Sequence, residues 1–409
     1  MRSDEIRDAG RMAGTVLGGG VGLIEDLHMA IARRSFGASG TRRGSTQVTH
    51  DRIAGSVYGI VAGVSRVMPR LAASVAAAGV APTASPLEAT PAGNAAVGAL
   101  NGMWGDRLTA VGSALALDMA VRHGHADLRL TAEAVGQAFP AATGRLVVFV
   151  HGLCETDDSW RPSVRKQRAT GALDFGQQLA VDAGSTPVYL RYNSGLHVSD
   201  NGAALGRVLD ELVAAWPVPV REFALVGHSM GGLVVRSACH QAAQRGASWI
   251  EQVAHVVCLG TPHLGAPLEQ GTNALSWALD RVPETRGLAR VLNARSVGVK
   301  DLRYGSLVED DWKDVDIDEF LTDRCNEVPF LPHATYSFIG VTVTRDRHHP
   351  LGLLVGDLLV QFASASGQGR RRQIPFEIDH GHHLGGLNHF DLLSHPDVYA
   401  QLRRWLVPD

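Results

Sequence analysis

Short β-rich apolar runs alternate with helical runs through the second half of this 409-residue chain, and this alternation constrains the fold more than any other feature. The β-rich runs lie at 145–151, 186–192, 222–228, 253–260, 334–343 and 372–378, and helical spacing marks 202–215, 230–244 and 397–407. Strands that are apolar on both faces belong to parallel sheets covered by helices on both sides. We therefore expect an α/β fold built on a mostly parallel sheet.

The chain changes character near residue 140. Before that point, apolar residues recur at three- and four-residue steps, which indicates a helix face containing Ile53, Val57, Ile60, Val64, Val67, Leu71 and Val75. A second helix is indicated between Leu108 and Met119, and residues 80–97 resemble a Pro-rich linker. The sequence therefore predicts a helical region over 1–140, of unassigned role, followed by one α/β domain over 141–409.

The overall charge excludes some classes of protein. The chain has 38 Lys and Arg against 41 Asp and Glu, and 45% of its residues are hydrophobic. Such a chain is too apolar to be disordered as a whole. It also lacks the excess positive charge that phosphate-dominated nucleic-acid binding requires, so no nucleic-acid partner is expected.

The strongest candidate for a membrane segment is the run IAGSVYGIVAGV at 53–64. It is shorter than the roughly 18 apolar residues of a spanning helix. Its glycines at 55, 59 and 63 have the four-residue spacing of close helix packing in membranes. The acidic N-terminus does not resemble a signal peptide. We expect a cytoplasmic protein, with peripheral membrane contact as an open alternative.

The four cysteines, Cys154, Cys239, Cys258 and Cys325, are widely spaced and form no CxxC pair. A disulfide framework is typical of short secreted chains rather than of a long chain with a large core. We therefore expect reduced thiols.

The strand at 222–228 runs directly into GHSMGG, which places Ser229 between Gly227 and Gly231 in a G-x-S-x-G arrangement. Glycines two residues to either side permit a sharp strand-to-helix turn that exposes a serine hydroxyl above the sheet. The pattern alone is weak in a chain with 46 glycines, but the strand before it and the helix after it are the expected context. Ser229 is the candidate nucleophile, and a purely structural turn is the alternative.

An acyl-transfer site also needs two N–H groups directed at the carbonyl oxygen. The residue after the nucleophile, Met230, is one candidate donor. The strand at 145–151 ends in His151-Gly152-Leu153, where the glycine allows a close backbone approach, and Leu153 is the second candidate. The alternative for this segment is an ordinary glycine turn.

The order nucleophile, acid, base predicts a histidine after the last strand. Of His380, His382, His383, His389 and His395, we choose His389 in NHFDLL. The acid is Asp357 in VGDLLV, with Asp346 as its rival. The HxHH cluster lacks the companion ligands of a zinc site, so metal binding there is the weaker alternative and no cofactor is expected.

Taken together, VFVHGL, RYNSG, GHSMGGLVVR, LGTPHLGAPL, GDLLV and LNHFDLL resemble the α/β-hydrolase superfamily, in particular its bacterial lipases and PGAP-type (inositol-deacylase-like) hydrolases. The resemblance covers about 145–409 and implies an α/β-hydrolase fold, a mostly parallel sheet with helices on both faces. It also implies Asp357 as the acid, His389 as the base and Leu153 as an oxyanion donor. Asp391 occupies the place of a calcium-binding aspartate in bacterial lipases, although no further ligand can be identified.

Residues 265–333 form a long segment that resembles a helical cap over the site; a surface excursion without catalytic consequence is the alternative. We expect a carboxylic ester hydrolase of the lipase or esterase type, acting on an ester or lipid through an acyl-enzyme. The alternatives are an acyltransferase with the same triad and a lipid-surface scaffold with a vestigial hydrolase domain. The sequence leaves the oligomeric state open.

Overall fold

The structure is a computed structural model, and it describes residues 1–38, 45–81, 83–161, 171–281, 293–314, 316, 319, 323, 325–346, 349, 356–369 and 372–407. Across these ranges, no helix combines the length and the apolar character needed to cross a membrane.

One eight-stranded sheet organises the larger part of the described chain. Its strands are β1 (Ala120–His123), β2 (Ala126–Asp127), β3 (Arg145–Val150), β4 (Thr186–Arg191), β5 (Glu222–His228), β6 (Val253–Leu259), β7 (Thr335–Thr342) and β8 (Gly381–Gly385). The spatial order is β2-β1-β4-β3-β5-β6-β7-β8. The strands β3 to β8 run parallel, whereas β1 is antiparallel to both of its neighbours. The carboxyl ends of β3, β5, β7 and β8 therefore meet at one edge, the usual place for a site in an α/β sheet.

Helices precede the sheet and cover it. They are α1 (Ser3–Ala38), α2 (Ser45–Ala78), α3 (Pro91–Ala110), α4 (Ala132–Ala138), α5 (Phe175–Ala183), α6 (Val198–Ala215), α7 (Met230–Arg245), α8 (Pro267–Asp280), α9 (Val297–Asp301), α10 (Phe362–Ala365) and α11 (Pro396–Leu406). Five of the strands and the helices α6, α7 and α11 confirm the sequence prediction to within a few residues.

Apolar side chains cover both faces of the sheet. On one face, Val148 and Leu225 pack in a core that contains Leu205 and Leu209 of α6. On the other face, residues such as Val226 pack in a second core with the helices α5 and α11. Alternate strand residues thus enter two separate cores, which explains why these strands read as continuous apolar runs.

The strand expected at 372–378 is wrong. In this segment only Gln373 forms a β-bridge, an isolated one with Gln368, and the last strand is β8. Pro375 has no N–H to donate to a ladder. Phe376 instead packs its ring 5.0 Å from that of Phe338 in the core.

The helix expected across 108–119 is also wrong, because α3 ends at Ala110. Gly112 has a φ of +60°, and the chain then turns back along α3. Asn101 of α3 binds this return segment, since its side chain donates to Leu115 O and accepts from Leu117 N. Leu115 and Leu117 are therefore buried without being helical.

Residues before 140 also contribute to the sheet and to its packing. Strands β1 and β2 lie in the sheet, which therefore extends across the boundary expected at residue 140. Helix α3 packs through a glycine face: a Cβ on Gly98 would lie 2.5 Å from Thr156, one on Gly102 would lie 2.3 Å from Cys154 Sγ, and one on Gly105 would lie 1.8 Å from Asn193. Helix α3 is therefore tightly packed against the loops that follow β3 and β4.

Helices α1 and α2 pack side by side as a hairpin, and α1 is anchored to the ends of α3. The buried Glu5 accepts a hydrogen bond from Leu87 N just before α3. The Asp8 carboxylate accepts from Ser113 Oγ at 3.0 Å and from Ala114 N at 2.7 Å just after it. The first turns of α1 therefore bind both flanks of α3.

Candidate active site

Ser229 occupies the turn between β5 and α7. Its φ and ψ are 51° and −123°, a combination that non-glycine residues rarely adopt. Its N–H donates to Leu259 O of β6 at 2.8 Å, which fixes the turn against the neighbouring strand. The structure thus forms the sharp strand-to-helix turn that the G-x-S-x-G spacing predicts.

The glycines of this turn allow backbone segments to approach closely. A Cβ on Gly231 would lie 2.3 Å from Val150 O and 2.5 Å from His151 O, at the end of β3. A Cβ on Gly227 would lie 2.4 Å from the amide nitrogen of Gly232. These neighbours are main-chain atoms that cannot rotate away, so both positions require glycine.

The structure brings His389 and Asp357 together. His389 Nδ1 lies 2.7 Å from Asp357 Oδ2, and both side chains are buried. The other carboxylate oxygen, Asp357 Oδ1, accepts hydrogen bonds from the N–H groups of Leu359 and Val360 at 2.9 and 2.7 Å. Because Asp357 O also accepts from His389 N at 3.1 Å, the two loops are joined by main chain as well as by side chain.

His389 lies beside the Ser229 turn. Its ring is 4.7 Å from that of His228, centroid to centroid, and a Cβ on Gly260 would meet His389 Cε1 at 3.1 Å. His389 Nε2 is buried and has no hydrogen-bond partner among the residues that the structure describes. An imidazole fixed at Nδ1 and unoccupied at Nε2 is suited to exchange a proton with a neighbouring hydroxyl.

The loop after β3 lies directly against the serine, because a Cβ on Gly152 would be 3.0 Å from Ser229 Cβ. The Gly152 N–H donates to Glu155, and the Cys154 N–H donates to Ser194 Oγ at 3.1 Å. Between them, the N–H of Leu153 donates to no described residue, and the same is true of the N–H of Met230. The two predicted oxyanion donors are therefore unoccupied.

Two further residues, Glu155 and His228, join the parts of the site. Glu155 Oε2 accepts from Gly152 N at 2.7 Å and lies 2.9 Å from His228 Nδ1. The other ring nitrogen, His228 Nε2, lies 3.2 Å from His389 O. A buried carboxylate and imidazole thus connect the loop after β3, the serine turn and the His389 loop.

Glu155 and His228 each stabilise the charged form of the other. Burial alone would lower the pKa of His228, but the carboxylate of Glu155 and its hydrogen bond raise that pKa above 6.5. Burial alone would raise the pKa of Glu155, but His228 and the Gly152 N–H lower it below 4.5. Each charged form therefore depends on its partner.

Sequence reasoning missed Glu155 and His228, although each adjoins a recognised motif. His228 directly precedes Ser229, and Glu155 is the third residue after Gly152. A local signal therefore existed in the acid that follows HGLC. Their pairing is visible only in three dimensions, because 73 residues separate them.

The loop after β3 is supported by the RYNSG segment. The rings of His151 and Tyr192 stack at 4.3 Å, and Tyr192 OH donates to His151 O at 2.9 Å. Burial lowers the pKa of His151, and the neutral ring accepts from Tyr192 N at Nε2 while its Nδ1–H donates to Gly152 O. Asn193 donates to Gly105 O of α3 at 3.1 Å, which extends this support to α3.

Of the other candidates, His380, His383, His395 and Asp391 have local partners. His382 and His383 belong to β8, where His383 Nε2 lies 2.9 Å from Thr342 Oγ1. His395 caps α11, and Asp391 accepts from Asn388 N and Nδ2 in a capping box. In the described part of the chain, no three His, Cys, Asp or Glu side chains are grouped as metal ligands.

Asp346 was the alternative to Asp357 as the acid. Asp346 lies in a bend after β7, and its main-chain oxygen accepts from Thr344 Oγ1. The carboxylate that binds His389 is that of Asp357.

The segment expected to form a cap contains α8 and α9, and its residues 282–292 lie outside the described residues. Its role as a cap stays a prediction.

All four cysteines are free thiols. Burial raises the pKa of Cys154 to about 11 and that of Cys258 to about 12. The thiol of Cys154, although it belongs to the loop after β3, is therefore protonated at neutral pH.

Known proteins resemble this chain over its α/β part. Residues 141–324 match the family described as the PGAP1-like alpha/beta domain. The esterase PIR7B of Oryza sativa subsp. japonica is 31% identical over 125 residues, which are 30% of this chain and 43% of the esterase. The match thus spans less than half the length of that relative.

Two solved structures are also similar to part of this chain. The mature lipase BlEst2 of Bacillus licheniformis has a TM-score of 0.42 and 19% identity, covering 64% of this chain and 91% of the lipase. The phospholipase PlaB of Legionella pneumophila has a TM-score of 0.37 and 16% identity, covering 65% of this chain and 60% of the phospholipase.

The matched range contains Ser229 and the loop after β3, while Asp357 and His389 follow it in the sequence. The mostly parallel sheet with helices on both faces is the one expected of an α/β hydrolase. The chain therefore has an α/β-hydrolase type of sheet, and its residues 141–324 are similar to the PGAP1-like alpha/beta domain.

Proposed function

We propose that this protein is a serine hydrolase that cleaves carboxylic esters through an acyl-enzyme. The observation that carries the proposal is the buried 2.7 Å contact between His389 and Asp357, beside a serine in a strained strand-to-helix turn. The esterase that it resembles over 125 residues supports an ester as the substrate.

In the first half of the reaction, Ser229 Oγ attacks the ester carbonyl carbon while His389 Nε2 takes the hydroxyl proton. The N–H groups of Leu153 and Met230 stabilise the negative oxygen of the tetrahedral intermediate. The intermediate collapses, the bond to the alcohol oxygen breaks, and His389 returns the proton to the departing alcohol. Asp357 keeps the imidazole oriented and stabilises its charged form.

In the second half, a water molecule attacks the acyl carbon of the Ser229 ester and gives one proton to His389. Collapse of this second intermediate breaks the bond to Ser229 Oγ, which takes the proton back. The carboxylic acid leaves, and the enzyme returns to its initial state.

Labelling with a fluorophosphonate, combined with hydrolysis of p-nitrophenyl esters of graded chain length, tests this proposal. We expect stoichiometric labelling of Ser229 and ester hydrolysis that falls by at least about 10³-fold in Ser229→Ala. A matched control is Ser394→Ala, since Ser394 is an exposed serine outside the site. Unchanged hydrolysis in Ser229→Ala, or labelling of another residue, would overturn the proposal.

A further inference from the structure

The hairpin of α1 and α2 presents a row of large aliphatic side chains to solvent. On α2, these side chains are between 45% and 77% exposed, and they are Val61, Val64, Val67, Met68, Leu71 and Val75. All except Val67 follow an alternating three- and four-residue spacing, so they form one continuous stripe along the helix. We call these six residues the outer face of α2.

The opposite side of α2 packs on α1 through small residues. A Cβ on Gly10 would lie 2.2 Å from Ala73 Cβ, and one on Gly14 would lie 2.4 Å from Arg66 O. The sequence predicted such close packing at the α2 glycines, but a Cβ on Gly59 or Gly63 would meet no described atom within 4 Å. The close approach is therefore made by the glycines of α1.

The hairpin places large aliphatic side chains outside and small residues between its helices, which is the reverse of a water-soluble helix pair. Two helices in water normally bury their large aliphatic side chains against each other and expose polar ones. Helices surrounded by lipid instead meet through small residues and direct large aliphatic side chains outwards. The outer face of α2 is therefore matched to an apolar environment.

The charged side chains in this part of α2 are all basic. Residues 61–80 contain two charged side chains, those of Arg66 and Arg70, and no acid. Arg70 also lines a groove of about 290 Å³ with Arg11, Arg107 and Asp8, whose wall includes Trp104 and the exposed Val111. Arg11 pairs with Asp8 at 3.1 Å, whereas the side chains of Arg70 and Arg107 form no ion pair with a described residue.

We propose that the outer face of α2 docks on the surface of a bilayer that contains anionic lipid. The aliphatic stripe would enter the boundary between headgroups and acyl chains, and the unpaired arginines would meet the negative headgroups. This is peripheral contact, consistent with the absence of a spanning helix from the described residues.

A second copy of the chain fits this face less well. Residues flanking the stripe in a helical pair would be Ser65, Val67, Ala72 and Ser74, none of which can form the interhelical ion pairs that set partner and register. Two copies would also repeat the positive charge of Arg70 on both sides of the contact. Anionic lipid offers the complementary charge, whereas a second copy repeats the same charge.

Sedimentation with vesicles tests the proposal on the full chain. We expect binding to vesicles of phosphatidylcholine with about 30% phosphatidylglycerol, and binding at least about tenfold weaker to phosphatidylcholine alone. The triple variant Val64→Gln, Leu71→Gln, Val75→Gln should lose at least tenfold in binding to the anionic vesicles. Its control is Val181→Gln, because Val181 is as exposed as Val75 but lies on α5.

Two further measurements separate this proposal from its rivals. Arg70→Ala with Arg107→Ala should remove most of the preference for phosphatidylglycerol, whereas Arg207→Ala on α6 should not. Light scattering on the wild type should give a monomer. If the wild type is a dimer and the triple variant is a monomer, the face belongs to a second copy and the proposal is overturned. Equal vesicle binding by the triple variant and the wild type would also overturn it.

The result does not depend on the proposed ester hydrolysis. Ser229→Ala should bind anionic vesicles as the wild type does, and the triple variant should hydrolyse a short soluble ester at the wild-type rate. Loss of that rate would show that the variant is misfolded, in which case the single variant Leu71→Gln, with a three- to fivefold loss expected, decides the question.

Discussion

The active-site region and the N-terminal hairpin both depend on glycine, but they place their large apolar side chains on opposite sides. At the sheet, Val148 and Leu225 are fully buried, and glycine is used where main-chain segments meet, as at Gly231. In the hairpin, Gly10 and Gly14 lie inside and aliphatic side chains such as Leu71 lie outside. The first arrangement suits a site whose atoms must be fixed in position, and the second suits a surface that meets another apolar phase.

The largest expected effect comes from a substitution in the active-site region. In Asp357→Asn, the partner of His389 Nδ1 is no longer an anion, so the charged imidazole loses its stabilisation and the tautomer its orientation. We expect kcat to fall by about 10³- to 10⁴-fold in ester hydrolysis. Vesicle binding should be unchanged; a loss smaller than tenfold would remove Asp357 from its assigned role.

Alanine substitutions at one glycine of each region test the comparison between the active-site region and the hairpin. Gly231→Ala sets a Cβ against main-chain oxygens of β3, and we expect about 2–4 kcal/mol lower unfolding free energy with ester hydrolysis largely lost. Gly14→Ala sets a Cβ 2.4 Å from Arg66 O and should destabilise the hairpin while hydrolysis of a soluble ester persists.

Gly19→Ala is the control for both, since a Cβ there meets nothing within 4 Å. It should leave activity unchanged and stabilise α1 by up to about 1 kcal/mol. Chemical denaturation and hydrogen exchange of α1 measure the three variants. Equal destabilisation by Gly19→Ala and Gly14→Ala would contradict the close packing of the hairpin.

The smallest effect concerns the buried pair of Glu155 and His228. Because the pKa of His228 is raised above 6.5, its contribution to stability is present below that pH and disappears as the pH rises through the raised value. Because the pKa of Glu155 is lowered below 4.5, its contribution is present above that pH and disappears in more acidic solution. The pair therefore stabilises the protein most between about pH 4.5 and 6.5.

Glu155→Gln should lower the unfolding free energy by about 1–3 kcal/mol at pH 6. The difference from the wild type should narrow as the pH rises, because the wild type loses the contribution of His228. Melting temperatures from pH 5 to 9 measure this difference, and Glu133→Gln, an exposed glutamate on α4, is the control. A difference that stays constant with pH would exclude the ion pair as its source.

Much of the fold was predictable, because each parallel strand is a continuous apolar run and each site loop follows a strand end. Ser229 could be chosen from its spacing together with the strand before it and the helix after it, and His389 from its place after the last expected strand. Strand β8, with the sequence GHHLG, has no β-rich pattern and forms because Phe338–Thr342 of β7 offers a partner. Helical periodicity likewise predicts a stripe containing Val64 and Leu71, but it does not say whether that stripe faces a core or solvent.

Helix α3 connects the hairpin, through Asp8, with the loop after β3, through Cys154. Glu5 and Asp8 bind the two flanks of α3, and the glycine face of α3 packs against Cys154 and Thr156, which follow Leu153. The helix whose flanks bind Glu5 and Asp8 is therefore the same helix that packs against Cys154, one residue from Leu153.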